Sequence, residues 1–357
     1  MKIKILYIYP NLNIGGAQKV VLDLVNNIDY KRFDVYLACN GGKFLYLVNK
    51  NVKILNLDFI DNKRHIFKSI FYLRYFIKKE RIDIIHSHHR YTSALSNFAT
   101  VFTKTRVIHS EHNIFPNKNY FNLRGNNIIA VSKSVKNNLI KYGVKSKNIN
   151  VIYNGIEENK YINAYKKDLK NELGIDGFTF GFIGRLSEQK GLAYMLEAFN
   201  NIYNQGYKCN LVIIGDGILR KDIEKFILEN NLGDYIYLLG FRSDIENIIN
   251  SIDIYILPSI FEGFPMTNME IMISSKCLIA TDVGGNKEII DNNIDGFIIN
   301  SKDVLELENK MKYVLDNKEI LEKMNLNAKE KVIKNFTIDK MKNNHMIYYE
   351  NLLKNNF

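Results

Sequence analysis

The sequence predicts an α/β protein of two doubly wound domains facing a cleft, closed by a C-terminal helix that crosses back to the first domain. Three observations carry this. A chain of 357 residues with 46% hydrophobic positions exceeds the usual single domain and can fill two cores. Short β-branched runs alternate with longer amphipathic stretches, the pattern of a parallel sheet wrapped by helices. The alternation stops and then restarts after an extended segment, NINVIYNG, and a charged stretch, 157–173. Expected boundaries are 1–160, 161–336 and 337–357.

In the first part the runs are KIKILYIY, DVYLA, VKILNL, IDIIHS, RVIHSE and NNIIAV. Amphipathic stretches at 15–28, 65–80, 92–103 and 132–142 read as the helices between them. In the second part TFGFIG, CNLVIIG, YIYLLG, DIYILP, CLIATD and DGFIIN each end at a turn, and most lead into a helical stretch. Past residue 303 the pattern is purely helical, with Leu, Met, Ile and Tyr at three-to-four spacing from Thr337 to Leu353. Loops after the carboxyl ends of such strands are where ligands are expected.

Composition narrows the partners. No apolar run reaches the ~18 residues a membrane helix needs, and Met1–Pro10 reads as a strand rather than a signal peptide, so a cytoplasmic protein is expected. Cys39, Cys209 and Cys277 are few and far apart, which argues against disulfides and thiolate metal sites. The net charge of +11 is uneven: residues 1–160 hold 26 Lys/Arg against 10 Asp/Glu, and the rest 23 against 28. An anionic partner for the first part follows, whether membrane or phosphorylated substrate. Nucleic acid is not expected, because no nucleic-acid-binding signature is present.

Several turns are candidate ligand sites. Gly15 and Gly16 open a helix after the first strand, where backbone can approach a ligand and free N–H groups can meet anions, although such a pair is also an ordinary tight turn. Arg185 and Lys190 follow the strand ending at Gly184 and could hold a diphosphate; the alternative is a solvated loop. Gly215 and Gly217 make a second glycine turn, and Gly240–Phe241 a third that could edge a nucleobase. The strongest local signal is ILPSIFEGFPMTNMEIM. Glu262 lies in a loop and Glu270 near the second turn of a helix begun by Pro265, so the two carboxylates can reach one ligand while backbone after Gly263, at Phe264, meets phosphate or sugar. Recognition of hydroxyls suits them better than acid–base work.

Five of the seven histidines fall in IIHSHH (His86, His88, His89) and VIHSEH (His109, His112), at the ends of neighbouring strands. A metal site and a polar rim that contacts sugar are both open on these residues.

The ordered set GGAQKV, IIHSHH, VIHSEHN, AVSKSVKNNL, VIYNGI, IGRLSEQKG, IGDG, LGFRSDI, FEGFPMTNME and TDVGGNKEII resembles glycosyltransferase family 4, with its GT-B fold of two Rossmann-like domains, over nearly the whole chain. The resemblance implies a retaining, metal-independent transferase that uses a nucleotide-diphosphate sugar as donor and needs no cofactor. It places Arg185 and Lys190 on the donor diphosphate, Glu270 on the ribose, and Glu262 with the backbone of Gly263 and Phe264 on the donor sugar. Gly15 and Gly16 would line the phosphate, and His112 would touch the sugar near the reacting carbon. The acceptor is expected to be a glycan or lipid-linked glycan in capsule, lipopolysaccharide or exopolysaccharide assembly. A nucleotide-sugar epimerase or hydrolase of the same fold, or a non-catalytic nucleotide-sugar binder, are the rivals. Gln18 stands where many relatives carry Glu, and Ser275 and Cys277 replace the usual Gly and Pro after the second glutamate.

Residues 63–81 hold seven Lys/Arg and one acid, Glu80, among many apolar side chains. Ile66, Ile70, Leu73 and Ile77 form one helical line suited to covering a sheet. The additional aromatics and Lys63, Arg64, Lys68, Arg74, Lys78, Lys79 and Arg81 also fit an interfacial helix on anionic lipid, giving peripheral attachment to the inner membrane face.

Overall fold

The computed structural model describes residues 2–13, 15–57, 65–114, 123 and 127–354. The chain divides into two compact units, Met1–Gly155 with Ile338–Phe357, and Ile156–Thr337. The first crossing falls at Gly155, ahead of residue 160.

The first unit contains β1 (Ile3–Ile8), α1 (Gly16–Asn27), β2 (Phe33–Cys39), β3 (Lys53–Asn56), α2 (Ile66–Glu80), β4 (Ile84–Ser87), α3 (Arg90–Ala99), β5 (Arg106–Glu111), β6 (Asn127–Ala130), α4 (Lys133–Lys141) and β7 (Ile149–Val151). The strands form one parallel sheet in the order β3-β2-β1-β4-β5-β6-β7. Strand order reverses between β1 and β4, where an open sheet presents its ligand crevice at the carboxyl edge. Burial on both faces explains why the strands read as continuous apolar runs rather than alternating ones.

Helix α2 covers the sheet through Leu73 and Ile77, with Ile66 and Ile70 partly buried beside them. Helix α3 stops at Ala99, short of the expected residue 103. The guanidinium of Arg74 donates to the carbonyls of Ala99 and Val101, and Phe102 adopts a left-handed conformation at φ 58°, which together end the helix. The C-terminal helix, Ile338–Lys354, belongs to this unit and packs against α1, burying Met341, His345, Met346 and Tyr349.

The second unit repeats the plan. Short helices α5 (Glu158–Ile162) and α6 (Leu169–Leu173) occupy the charged stretch. They precede β8 (Thr179–Ile183), α7 (Leu192–Asn204), β9 (Asn210–Ile214), α8 (Arg220–Glu229), β10 (Ile236–Gly240), α9 (Ile245–Ile248) and β11 (Ile254–Leu257). Then follow α10 (Met266–Ile273), β12 (Leu278–Thr281), α11 (Asn286–Ile289), β13 (Phe297–Ile299), α12 (Val304–Asp316) and α13 (Ile320–Asn335). Its parallel sheet runs β10-β9-β8-β11-β12-β13, again reversing beside its first strand. Pro265 keeps an extended ψ of 123° and caps α10 from outside, so the helix starts at Met266.

Candidate active site

In the second unit the carboxyl ends of β8, β9 and β10 are knitted into one ledge. Gly215 N–H donates to the Gly240 carbonyl at 2.8 Å, and Gly184 N–H to Ile214 at 3.0 Å. A Cβ on Gly215 would lie 1.8 Å from the Gly184 carbonyl oxygen, at φ 142°. Glycine is therefore demanded at 215 by the approach of two backbone turns, independently of any ligand. Arg185, on this ledge, is exposed and its guanidinium has no protein partner among the described residues. The ring of Phe241, one residue past β10, is 60% exposed.

The loop carrying Lys190 is fastened to the one carrying Glu262. Ile260 N–H donates to the Gln189 carbonyl at 2.8 Å, and the Gln189 side chain to the Phe261 carbonyl at 2.9 Å. Gly191, at φ 66°, has room for no Cβ, since one would fall 2.0 Å from the Pro258 carbonyl oxygen. These ties bring Lys190 Nζ to 2.6 Å from Glu262 Oε1, which also accepts from Ser259 Oγ at 2.8 Å. Glu262 is buried and Lys190 nearly so, which makes this a largely desolvated ion pair whose partners depend on each other. From the far side Gly285 N–H donates to the Gly263 carbonyl, and Asn268 Nδ2 to Asn286 Oδ1, locking α10 to the turn after β12. A small pocket opens at Lys190, Ser259, Glu262, Thr267, Asn268 and Asn286.

Glu270 is half-buried on α10 outside this pocket's lining. Phe264 turns into the core, its ring 5.4 Å from that of Phe336, leaving only its backbone to a ligand. Ser275 follows α10 in a left-handed conformation at φ 57°, at the position where the family's glycine stands.

In the first unit Gly15 has an extended φ of 172° that any residue adopts, and a Cβ on Gly16 would meet nothing within 4 Å. A Cβ on Gly15, by contrast, would fall 2.5 Å from Gln18 Oε1, the far end of a flexible side chain. At the ends of β4 and β5, His88 Nδ1 and His112 Nε2 are 2.9 Å apart, with their rings stacked at 5.2 Å. His86 lies beneath, its ring 4.1 Å from that of His88. His89 stands apart, exposed, with its ring edge-on to Tyr9. His109 is buried 3.5 Å from Glu111 Oε2, a carboxylate that also accepts from Arg90. Burial holds the imidazoles of His86 and His88 well below the usual histidine range and that of His112 at about 4. Among the described residues, no three His, Cys, Asp or Glu side chains converge as metal ligands. The three cysteines are free and buried, and burial pushes the Cys277 thiol up to about 12.

Sequence reasoning missed Ser259, which shares Glu262, and the support of His86. Tyr349 Oη on the C-terminal helix lies 2.7 Å from His86 Nδ1 and 3.1 Å from Tyr7 Oη, while Ser110 Oγ is 2.8 Å from His86 Nε2. The four-residue spacing of His345 and Tyr349, one helical face, was the available signal.

Residues 165–331 match the family described as glycosyl transferases group 1, and residues 14–160 match glycosyltransferase family 4. An Escherichia coli UDP-Gal:alpha-D-GlcNAc-diphosphoundecaprenol alpha-1,3-galactosyltransferase is 29% identical over 370 residues, spanning 95% of this chain and 94% of its own. An uncharacterised glycosyltransferase of Methanocaldococcus jannaschii is 30% identical over 339 residues, 89% of either chain. Among solved structures, Anabaena HepE in complex with UDP and glucose aligns over 98% of this chain and 99% of its own, with a TM-score of 0.83 at 20% identity. The two matched segments fall one on each unit, with the Lys190–Glu262 pair in one and His112 in the other. The chain belongs to the family 4 glycosyltransferases, enzymes built on the two-domain GT-B fold.

Proposed function

We propose that this glycosyltransferase moves a sugar from a nucleotide-diphosphate sugar to a hydroxyl of a glycan or lipid-linked acceptor in polysaccharide assembly, with retention of anomeric configuration. The observation that carries the reading is the largely desolvated Lys190–Glu262 pair beside Arg185, which has no partner among the described residues, cations held where a strand-end diphosphate would lie. The names of the relatives point the same way: the Escherichia coli enzyme uses UDP-Gal and an undecaprenol-linked acceptor, and another matched protein is an Erwinia amylovora amylovoran biosynthesis glycosyltransferase. The epimerase, hydrolase and idle-binder readings are not favoured, since the named relatives are transferases.

In this mechanism the bond from the anomeric carbon to the diphosphate breaks and its electron pair leaves with the phosphate oxygen. Arg185 and Lys190 neutralise that charge without a metal, and electrostatic stabilisation of the leaving group does most of the work. The acceptor hydroxyl attacks from the face the diphosphate leaves, and its proton passes to the departing phosphate oxygen. Glu262 fixes the donor sugar and holds Lys190 in place. Glu270 takes the ribose hydroxyls, Gly15 and Gly16 admit phosphate, and His112 contacts the sugar near the reacting carbon as a neutral hydrogen-bonding group.

A lipid-linked acceptor calls for a membrane-facing surface, and α2 supplies one. Phe67, Phe71, Tyr72 and Tyr75 are exposed along it together with Lys68, Lys78 and Lys79. Arg74 is committed to the end of α3, and Lys63 and Arg64 lie outside the described residues. Among the described residues no helix is long and apolar enough to cross a membrane, so attachment would be peripheral.

The test is a thermal-shift screen of nucleotide sugars, in which a ligand at 100 times its Kd adds about 2.7 kcal/mol, followed by NMR of the product's anomeric proton. A product of inverted configuration would discard the same-face mechanism.

A further inference from the structure

We infer that the turn joining α3 to β5 is a membrane wedge: Phe102 at its tip, with Phe98 and Val101 behind it, enters the acyl boundary of an anionic bilayer. The inference deepens the reading of α2 as the membrane-facing surface, and rests on it.

The argument starts from the backbone of Phe102. Its φ is 58°, in the left-handed region where a bulky side chain crowds the backbone and glycine or asparagine ordinarily stands. The ring gives the fold nothing in return, since it is 96% exposed. Strain held at so exposed a residue points outward, to something the residue meets. The turn itself is firmly built. Thr103 donates to the Thr100 carbonyl from its backbone N–H at 2.9 Å and from its hydroxyl at 2.8 Å. Thr105 Oγ1 donates to the Ile82 carbonyl at 2.8 Å, and Arg74 holds the carbonyls of Ala99 and Val101. Phe102 is thus held out by a fixed turn.

This turn stands beside the exposed aromatic face of α2. Inward, Leu73 and Ile77 of α2 share one apolar cluster with Leu95 and Ala99 of α3. Outward, Phe67, Phe71, Arg74 and Lys78 are spaced four, three and four residues apart, one line along the helix. Arg74 is the member of that line that reaches the turn. Phe98, Val101 and Phe102, all exposed, therefore extend the apolar face that begins with Phe67 and Phe71.

Charge names the occupant. Residues 65–110 carry eight Lys/Arg and two acids, and both acids are engaged: Glu80 accepts from Tyr36 Oη, and Asp83 from the Lys4 backbone N–H. Lys78 and Lys79 at the end of α2, and Lys104 two residues past Phe102, are exposed. Protruding aromatic rings among cations fit anionic headgroups laid over acyl chains. The lysines draw the surface in, and the rings anchor it at the boundary.

The chain has no tryptophan, so Phe102→Trp and Phe71→Trp each place a single reporter, one on the turn and one on α2. Emission is recorded with vesicles of phosphatidylglycerol and phosphatidylcholine, with and without bromine on the acyl chains, and binding is followed by sedimentation in low and high salt. Both reporters should shift to the blue and be quenched by the bromines. Phe102→Gly should keep or raise Tm, because glycine relieves the left-handed backbone, while weakening vesicle binding about ten-fold. Adding Phe98→Ser should remove the binding that survives high salt, with UDP affinity unchanged. If vesicles leave Phe102→Trp emission unaltered while Phe71→Trp responds, the wedge is overturned and α2 remains the membrane face. Silence from both reporters, with no sedimentation, would remove the reading of α2 and the wedge with it. Blue-shifted Phe102→Trp emission without vesicles, together with a doubled mass that Phe102→Gly abolishes, would show the turn joining two copies of this chain and would also overturn the inference.

Discussion

All seven histidines lie in the first unit, and acid should therefore unfold that unit ahead of the other. His345 gives the magnitude. It is 3% exposed on the C-terminal helix, its ring 5.7 Å from that of His86, and burial holds its imidazole at about 4 although Nδ1 bonds the Met341 carbonyl. In the unfolded chain the same group titrates near 6.5, so below that pH the unfolded state binds a proton the folded state refuses. Stability is thus fully present above about 6.5 and is lost as pH falls toward the folded value, by about 3 kcal/mol from this residue at pH 4. His86, His88 and His112 act in the same direction. Asp244, held far below the usual carboxylate range by Arg242 in the second unit, loses its contribution only below about pH 4. The assay is urea unfolding followed by circular dichroism from pH 7 to 4.5, with pulse proteolysis to assign each transition to a unit. His345→Leu should cost about 1 kcal/mol at pH 7 for the lost bond, yet flatten the pH dependence of the first transition by about 1.4 kcal/mol per pH unit. Equal slopes for wild type and variant would refute the account.

Further expectations are as follows. Arg185→Ala and Lys190→Ala should each weaken UDP binding by about 1.5–3 kcal/mol in calorimetry, but only Lys190→Ala should also lower Tm, because it leaves Glu262 buried and unpaired. Gly215→Ala should destabilise by about 3 kcal/mol or more in denaturant unfolding, whereas Gly16→Ala, with nothing near its new methyl, should change stability by under about 1 kcal/mol. Ser275→Gly should raise stability by about 1 kcal/mol by relieving a left-handed serine, and an unchanged Tm would contradict that. Vesicles of anionic lipid should sediment the wild type in low salt and much less of it in high salt; Lys68, Lys78 and Lys79 all changed to Glu should abolish sedimentation without altering UDP affinity, at about 1 kcal/mol per lysine.

Sheet and helix placement was legible because strands buried on both faces and helices buried on one leave different periods in the sequence. The β8, β9 and β11 runs needed no tertiary information to be found. Helix ends set by distant groups were not legible, as Arg74 closing α3 illustrates. At the site, Glu262 and Lys190 were each visible from their turns, but their pairing depends on loops 72 residues apart in sequence meeting through Gln189. The glycine at 215 was visible as a candidate ligand turn, but the Gly184 carbonyl that also demands glycine there follows a neighbouring strand and leaves no local trace. The histidine cluster was foreseen from two strand ends, yet its anchor, Tyr349, lies 263 residues beyond His86.

The order of the units along the chain has a consequence for synthesis. Residues 156–337 form one uninterrupted unit and can fold while translation continues. The first unit emerges earlier but lacks Tyr349 and His345, whose places against β1 and β4 stay open until the ribosome has delivered the final helix. Until then His86 Nδ1 and the apolar face of α1 have only water or a chaperone to meet. The half of the enzyme made first is the half finished last.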